Sequence, residues 1–169
     1  MYPVEIEASN DQPRIQFGPR RLIAKPQGAS EFSSARFTAD GRNALVQLNY
    51  SHAALVDLES GQYGPFFTNH ATLAGLAISP DKQWVVTSTH SDTPARIGDA
   101  RTGKIVQEFG LGSLGVNFSP DGRWLATSGG NETAIRDVST WPPRHRFARQ
   151  LATGSPGHAV FSPDSQLLA

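Results

Sequence analysis

Val116-Asn117-Phe118-Ser119-Pro120-Asp121-Gly122-Arg123 decides the architecture, because versions of this stretch occur four times. The others run from Ala35 to Arg42, Leu76 to Gln83 and Ala159 to Gln166, and the four aspartates, Asp40, Asp81, Asp121 and Asp164, lie 41, 40 and 43 residues apart. So regular a step marks an array in which each unit is one supersecondary block. Ser119-Pro120-Asp121-Gly122 has turn chemistry: proline fixes φ at the second position, and glycine accepts the left-handed conformation that completes a three-residue hairpin loop. Leu114, Val116 and Phe118 alternate before the turn, and Trp124 to Ser128 follows as a short apolar run, so the motif joins two antiparallel strands.

Each unit continues with a third strand that ends in aspartate, over Ala53 to Asp57, Ala95 to Asp99 and Ala134 to Asp137. A fourth follows a small polar turn, over Gln62 to Thr68, Lys104 to Phe109 and His145 to Leu151. Strands a, b, c and d then make an up-and-down sheet, and the period fits a propeller blade of about 40–45 residues. The expected fold is all-β: antiparallel four-stranded blades of a β-propeller, incomplete, about three and a half of them in an open arc. Residues 1–28 are expected to carry a lone outer strand of the ring-closing type, over Arg14 to Lys25. Blades one to three are expected at 29–68, 69–110 and 111–151, with a partial fourth at 152–169 that ends inside its second strand, so the chain reads as a piece of a longer array.

Phe118 to Ser128, together with Ala95 to Lys104 and the pair Asn69-His70 ahead of a first strand, resembles the WD40 family of β-propellers over roughly residues 30–169. The tryptophan of that family's Trp-Asp pair is absent: Val56, Gly98 and Arg136 precede Asp57, Asp99 and Asp137. The family's internal hydrogen-bond set therefore carries over only to His70, Ser88 and, more loosely, Asp92. These degenerate repeats resemble long bacterial arrays. The resemblance implies a non-enzymatic protein-interaction scaffold, a segment of a larger protein whose partners are other proteins and the rest of its own array. The alternative it implies is a regulatory or substrate-gating propeller attached to a kinase or peptidase domain outside this chain.

Bulk properties narrow the partners. Formal net charge is zero and the sequence pI about 7.0, which argues against global attraction to nucleic acid or an anionic membrane. With no cysteine there is neither a disulfide framework nor a thiolate metal site, and with no secretory-type leader or long apolar run the expected compartment is the cytoplasm. Gly110-Leu111-Gly112-Ser113-Leu114-Gly115 matches a dinucleotide fingerprint, but that motif needs a following helix, and Val116 to Pro120 alternates like a strand. The histidines, His52, His70, His90, His145 and His158, have no metal-ligand spacing, so no cofactor, metal or catalytic residue is expected.

The topology groups other residues. In an up-and-down blade the b–c turns and the d–a loops share one rim, which gathers His52, His70, His90 with Asp92, and Asn131 with Glu132 as the expected partner-binding face. Arg144, His145, Arg146 and Arg149, beside Trp141-Pro142-Pro143, read as an exposed edge strand protected by charge and proline. Trp84 and Trp124 open equivalent strands and are expected to pack between blades.

Overall fold

One hydroxyl shapes each turn. Ser79 Oγ donates to Asp81 Oδ1 at 2.5 Å and accepts from the Trp84 amide at 2.9 Å, while Asp81 Oδ1 also accepts from the Gln83 amide at 3.0 Å. Thr38 with Asp40, Ser119 with Asp121 and Ser162 with Asp164 repeat the arrangement. Side chains thereby satisfy turn amides that no strand reaches. The next residue is left-handed every time, with φ 65° at Gly41, 60° at Lys82, 75° at Gly122 and 62° at Ser165.

The computed structural model describes residues 4–7, 14–17, 22–68, 72–89, 93–109, 113–129, 132–148 and 159–169. Strands β1 (Val4–Glu7) and β2 (Arg14–Phe17) pair with each other. The first four-stranded sheet is β3 (Phe32–Phe37), β4 (Asn43–Leu48), β5 (His52–Asp57) and β6 (Tyr63–Phe67). The second is β7 (Leu73–Ile78), β8 (Trp84–Thr89), β9 (Ala95–Asp99) and β10 (Ile105–Phe109). The third is β11 (Ser113–Phe118), β12 (Trp124–Gly129), β13 (Glu132–Asp137) and β14 (Pro143–Ala148). All pairings are antiparallel between sequence neighbours, and the sheets form an open series of propeller blades. Residues 159–169 add a fourth hairpin, bridged at Phe161 and Leu168. No helix long and apolar enough to cross a membrane occurs among the described residues.

The N-terminal strand is not solitary, which corrects the sequence reading. Val4 pairs with Phe17 and Ile6 with Ile15. Val4-Glu5-Ile6-Glu7 has the same two-residue alternation as the Ile15-to-Phe17 run, and a lone strand would leave both of its edges unpaired. Over 110–115, residues 110–112 lie outside the described residues, and Ser113 onwards is strand where a dinucleotide site needs a helix.

The blades stack face to face, so their central strands are apolar on both sides. In β4, Leu45 joins Ala53, Phe67, Leu73, Leu76 and Val85 between the first two sheets. The next residues of the same strand, Ala44, Val46 and Leu48, face outward with Val56 and are met by Ile23 and Ala29 of the incoming segment. Between the second and third sheets lie Ala77, Val86, Ile97, Phe109, Phe118 and Leu125. Each such side chain contributes about 1.5–3 kcal/mol when fully buried, so these two seams set the stability of the stack. Asn49 fastens the entry of the chain, its Oδ1 accepting from the Ser30 amide at 2.8 Å and its Nδ2 donating to the Gly28 carbonyl at 3.1 Å.

The seams share one device. The last residue of the fourth strand, Phe67 or Phe109, pairs with Ala53 or Ala95 and projects onto the following sheet. It lands on the residue before the terminal aspartate of strand c, where the WD40 pattern has tryptophan. Phe67 lies over Gly98, and Phe109 lies under the Arg136 guanidinium, 4.0 Å from its ring centroid. Arg136 is only 7% exposed, and its Nη1 donates to the Trp141 carbonyl at 3.2 Å. Burial pulls the pKa of this guanidinium down, and the nearby Arg146 adds to the effect.

Candidate functional site

Of the residues expected on the b–c rim, His52 and Glu132 are described; His70, His90, Asp92 and Asn131 lie outside the described residues. His52 opens β5 and Glu132 opens β13, so both stand at the b–c turns, on one rim, two sheets apart. Both are exposed, and the partners of each are local. Ser51 Oγ lies 2.6 Å from His52 Nδ1, and Glu132 pairs with Arg146 across the c–d strands. Ser88 Oγ, the part of the family's hydrogen-bond set that is described, is buried without a partner among the described residues.

The opposite rim carries the a–b and c–d turns. The aspartates that end strand c act there as turn caps. Asp57 Oδ1 accepts from the Glu59 and Ser60 amides and from Ser60 Oγ, and Asp99 Oδ1 from the Arg101 and Thr102 amides and Thr102 Oγ. Asp137 accepts from the amide and hydroxyl of Ser139. These bonds hold all three carboxyls below the ordinary aspartate range, led by the Ser60 amide, the Thr102 hydroxyl and the Ser139 hydroxyl respectively. Between a–b turns, Lys82 Nζ bridges to Asp40 Oδ2 at 2.5 Å, and Ser165 Oγ accepts from the Asp121 amide at 3.0 Å.

Several cavities open along the described residues, and two of them lie between sheets. One, of 460 Å³, lies at the centre of the arc among β3, β7 and β11 and is lined chiefly by apolar side chains, with Arg36 as its ionisable group. The other, of 640 Å³, is a groove on the turn rim between the second and third sheets. Trp84, Trp124 and Trp141 line it, with Asp81, Asp137 and Arg123 at its edges. Trp84 and Trp141 meet edge to face at 5.5 Å, and the Arg123 guanidinium covers the Trp124 ring at 5.7 Å. The sequence reading placed Trp84 and Trp124 in packing roles and missed the groove. A signal was available, since Trp141 follows Asp137 at the spacing at which Gly61 follows Asp57 and Gly103 follows Asp99. It adopts their left-handed conformation too, with φ 70° against 71° and 73°.

On the outer strand β14, Arg144 and Arg146 are exposed and paired with Asp137 and Glu132; Arg149 lies outside the described residues. No group of three or more metal-binding side chains occurs among the described residues.

Sheet order, register and open stacking define a β-propeller array. Within it, residues 111–135 match the WD40 family, WD domain, G-beta repeat. Two solved structures are similar. Hydrazine synthase of Kuenenia stuttgartiensis superposes with a TM-score of 0.68 at 16% identity, covering 86% of this chain and 44% of that one. A chain of the mitotic checkpoint complex gives 0.70 at 16% identity, covering 92% and 47%. The present chain thus spans less than half the length of either, and likeness at this identity speaks to fold. No curated protein matches the sequence.

Proposed function

We propose that the chain is a non-enzymatic protein-interaction module, a segment of a WD40-type array whose b–c rim contacts other proteins. The observation that carries this reading is the contrast between the rims. The a–b turns repeat one hydrogen-bonded hairpin, whereas the b–c turns place different chemistry on the same scaffold, an exposed imidazole at His52 and an ion-paired carboxylate at Glu132. Side chains that differ from blade to blade on a rigid frame can encode a specific partner. The WD40 match supports the same reading. His70, His90, Asp92 and Asn131 complete the proposed face, and the remainder of the array is a second partner, through the end faces of the stack.

The test is capture from source lysate with wild type, a His52→Glu/Glu132→Lys double variant and an Asp40→Lys variant of the opposite rim. The double variant should lose proteins that the others retain. A bound set altered only by Asp40→Lys would overturn the assignment of the face, and His52-dependent turnover in a substrate panel would overturn the non-enzymatic reading.

A further inference from the structure

The groove between the second and third sheets repeats, with one part missing, a junction the chain builds elsewhere. Between the first and second sheets, Asp40 Oδ1 is occupied by Thr38 Oγ1 and the Arg42 amide, and its outer oxygen, Oδ2, receives the Lys82 ammonium. One junction later the register puts Asp81 in the place of Asp40 and Gly122 in the place of Lys82. Asp81 Oδ1 is again occupied, by Ser79 Oγ and the Gln83 amide. Asp81 Oδ2 has no partner among the described residues. Glycine supplies no cation, and the space is the 640 Å³ groove.

A surface ion pair alone contributes little. What distinguishes this junction is its wall: the three tryptophans of the chain line the groove together. Arg123 over Trp124 shows that the wall holds a cation against an indole face. Trp141 keeps a left-handed backbone where the other two blades use glycine, and its ring closes the groove against Trp84. A long, flexible cationic side chain matches these parts, since its methylenes can lie on the indoles while its head reaches a carboxylate.

We propose that this groove binds a lysine side chain of a partner protein, whose ammonium bonds to Asp81 Oδ2 as Lys82 bonds to Asp40. The site lies on the rim opposite His52 and Glu132, and it rests on the protein-binding reading only for the kind of molecule that carries the lysine.

All tryptophan emission comes from the groove, so fluorescence reports on it directly. The experiment titrates the full chain with acetyl-Gly-Lys-Gly-amide and with the neutral acetyl-Gly-Gln-Gly-amide. The lysine peptide should give a saturable change that the glutamine peptide does not. Asp81→Asn should weaken it by about tenfold or more. Gly122→Lys, at a left-handed position of the kind Lys82 already occupies, with Pro80 Cδ at 3.8 Å as the nearest atom to a new β-carbon, should supply the ammonium internally and abolish binding, while the β-carbon at φ 75° lowers the thermal midpoint modestly. Equal responses to the two peptides overturn the proposal, as does wild-type binding by a folded Gly122→Lys or Asp81→Asn chain. A response to a neutral saccharide in place of the lysine peptide overturns it too. Synthetic peptides bypass the lysate capture, so this site and the b–c rim stand or fall separately.

Discussion

Phe67 lies so close to Gly98 of the next sheet that a β-carbon on Gly98 would stand 2.7 Å from Phe67 Cε1. The contact joins the fourth strand of one blade to the third strand of the next, at the position where a WD40 repeat ordinarily has tryptophan. Phe67 is 2% exposed, so its ring has nowhere to retreat. Gly98→Ala should therefore destabilise by about 1–3 kcal/mol through overpacking. Phe67→Ala should cost about 3–5 kcal/mol through the cavity it leaves. In the double variant the two costs should fall short of their sum, because the alanine methyl partly fills the space of the lost ring. Urea midpoints of the four chains check this, and full additivity would show that the two residues do not share the contact.

Trp141 inverts a familiar preference. Alanine usually suits a folded backbone better than glycine, but at φ 70° a β-carbon costs about 1–2 kcal/mol. Trp141→Ala loses the contact with Trp84 and keeps the strain, whereas Trp141→Gly loses the contact and relieves it. The glycine variant should be the more stable of the two by about 1 kcal/mol. Thermal melts of the pair decide the sign.

The extent to which the sequence disclosed this molecule follows from where each signal resides. The strands and hairpins were legible because turn chemistry and two-residue alternation are local, and four copies of Ser-Pro-Asp or its variants reinforce one another. The pairing of β1 was not, because Val4 to Glu7 is a run of only four residues. The b–c rim could be named from topology alone, yet of its six residues only His52 and Glu132 fall in the described part. The tryptophan groove was hidden for a different reason: Trp84, Trp124 and Trp141 converge across a junction between sheets, which no single-strand pattern encodes. Arg136 on Phe109 was hidden likewise, since an arginine in a strand reads as an exposed residue until a neighbouring blade covers it.

Acid should loosen the stack through its turns. Asp40, Asp121 and Asp164 are held below the ordinary aspartate value of 3.8, by Lys82 in the first case and by the hydroxyls of Ser119 and Ser162 in the others, and Asp57, Asp99 and Asp137 are lowered by their turn donors. Each group is depressed in the folded chain, so below 3.8 the unfolded chain binds more protons and stability rises with pH. The contribution is fully present well above that value and is lost as pH falls through the folded values. The urea midpoint should hold steady near neutrality and fall on acidification past this point. Asp121→Asn should lower the neutral-pH midpoint and flatten the fall. A midpoint that rose on acidification would contradict this account.

Phe147 provides the last test, because it is the same device as Phe67 and Phe109 without its counterpart. It pairs with Thr133 as they pair with Ala53 and Ala95, yet it is 52% exposed against 2% and 9%. The hairpin over 159–169 reaches the inner part of the same face, where Ser165 accepts from the Asp121 amide and Leu167 and Leu168 come beside His145, and leaves Phe147 exposed. Leu167, at 71%, lies beside His145 on this face and adds to its apolar surface. Contiguous apolar patches beyond a few hundred Å² (about 300–600) mark association sites or aggregation liabilities. Two results should follow. Phe147→Ala should change stability by no more than about 0.5 kcal/mol, as an exposed substitution does, against the several expected for Phe67→Ala. A Phe147→Lys/Leu167→Lys chain should scatter less light than wild type at matched concentration, because the charges break up the exposed apolar face. A wild-type chain that stays monomeric across concentration, with a sharp thermal transition, would mean that this end of the stack is covered in solution; in that case Phe147→Ala should instead cost as much as Phe67→Ala.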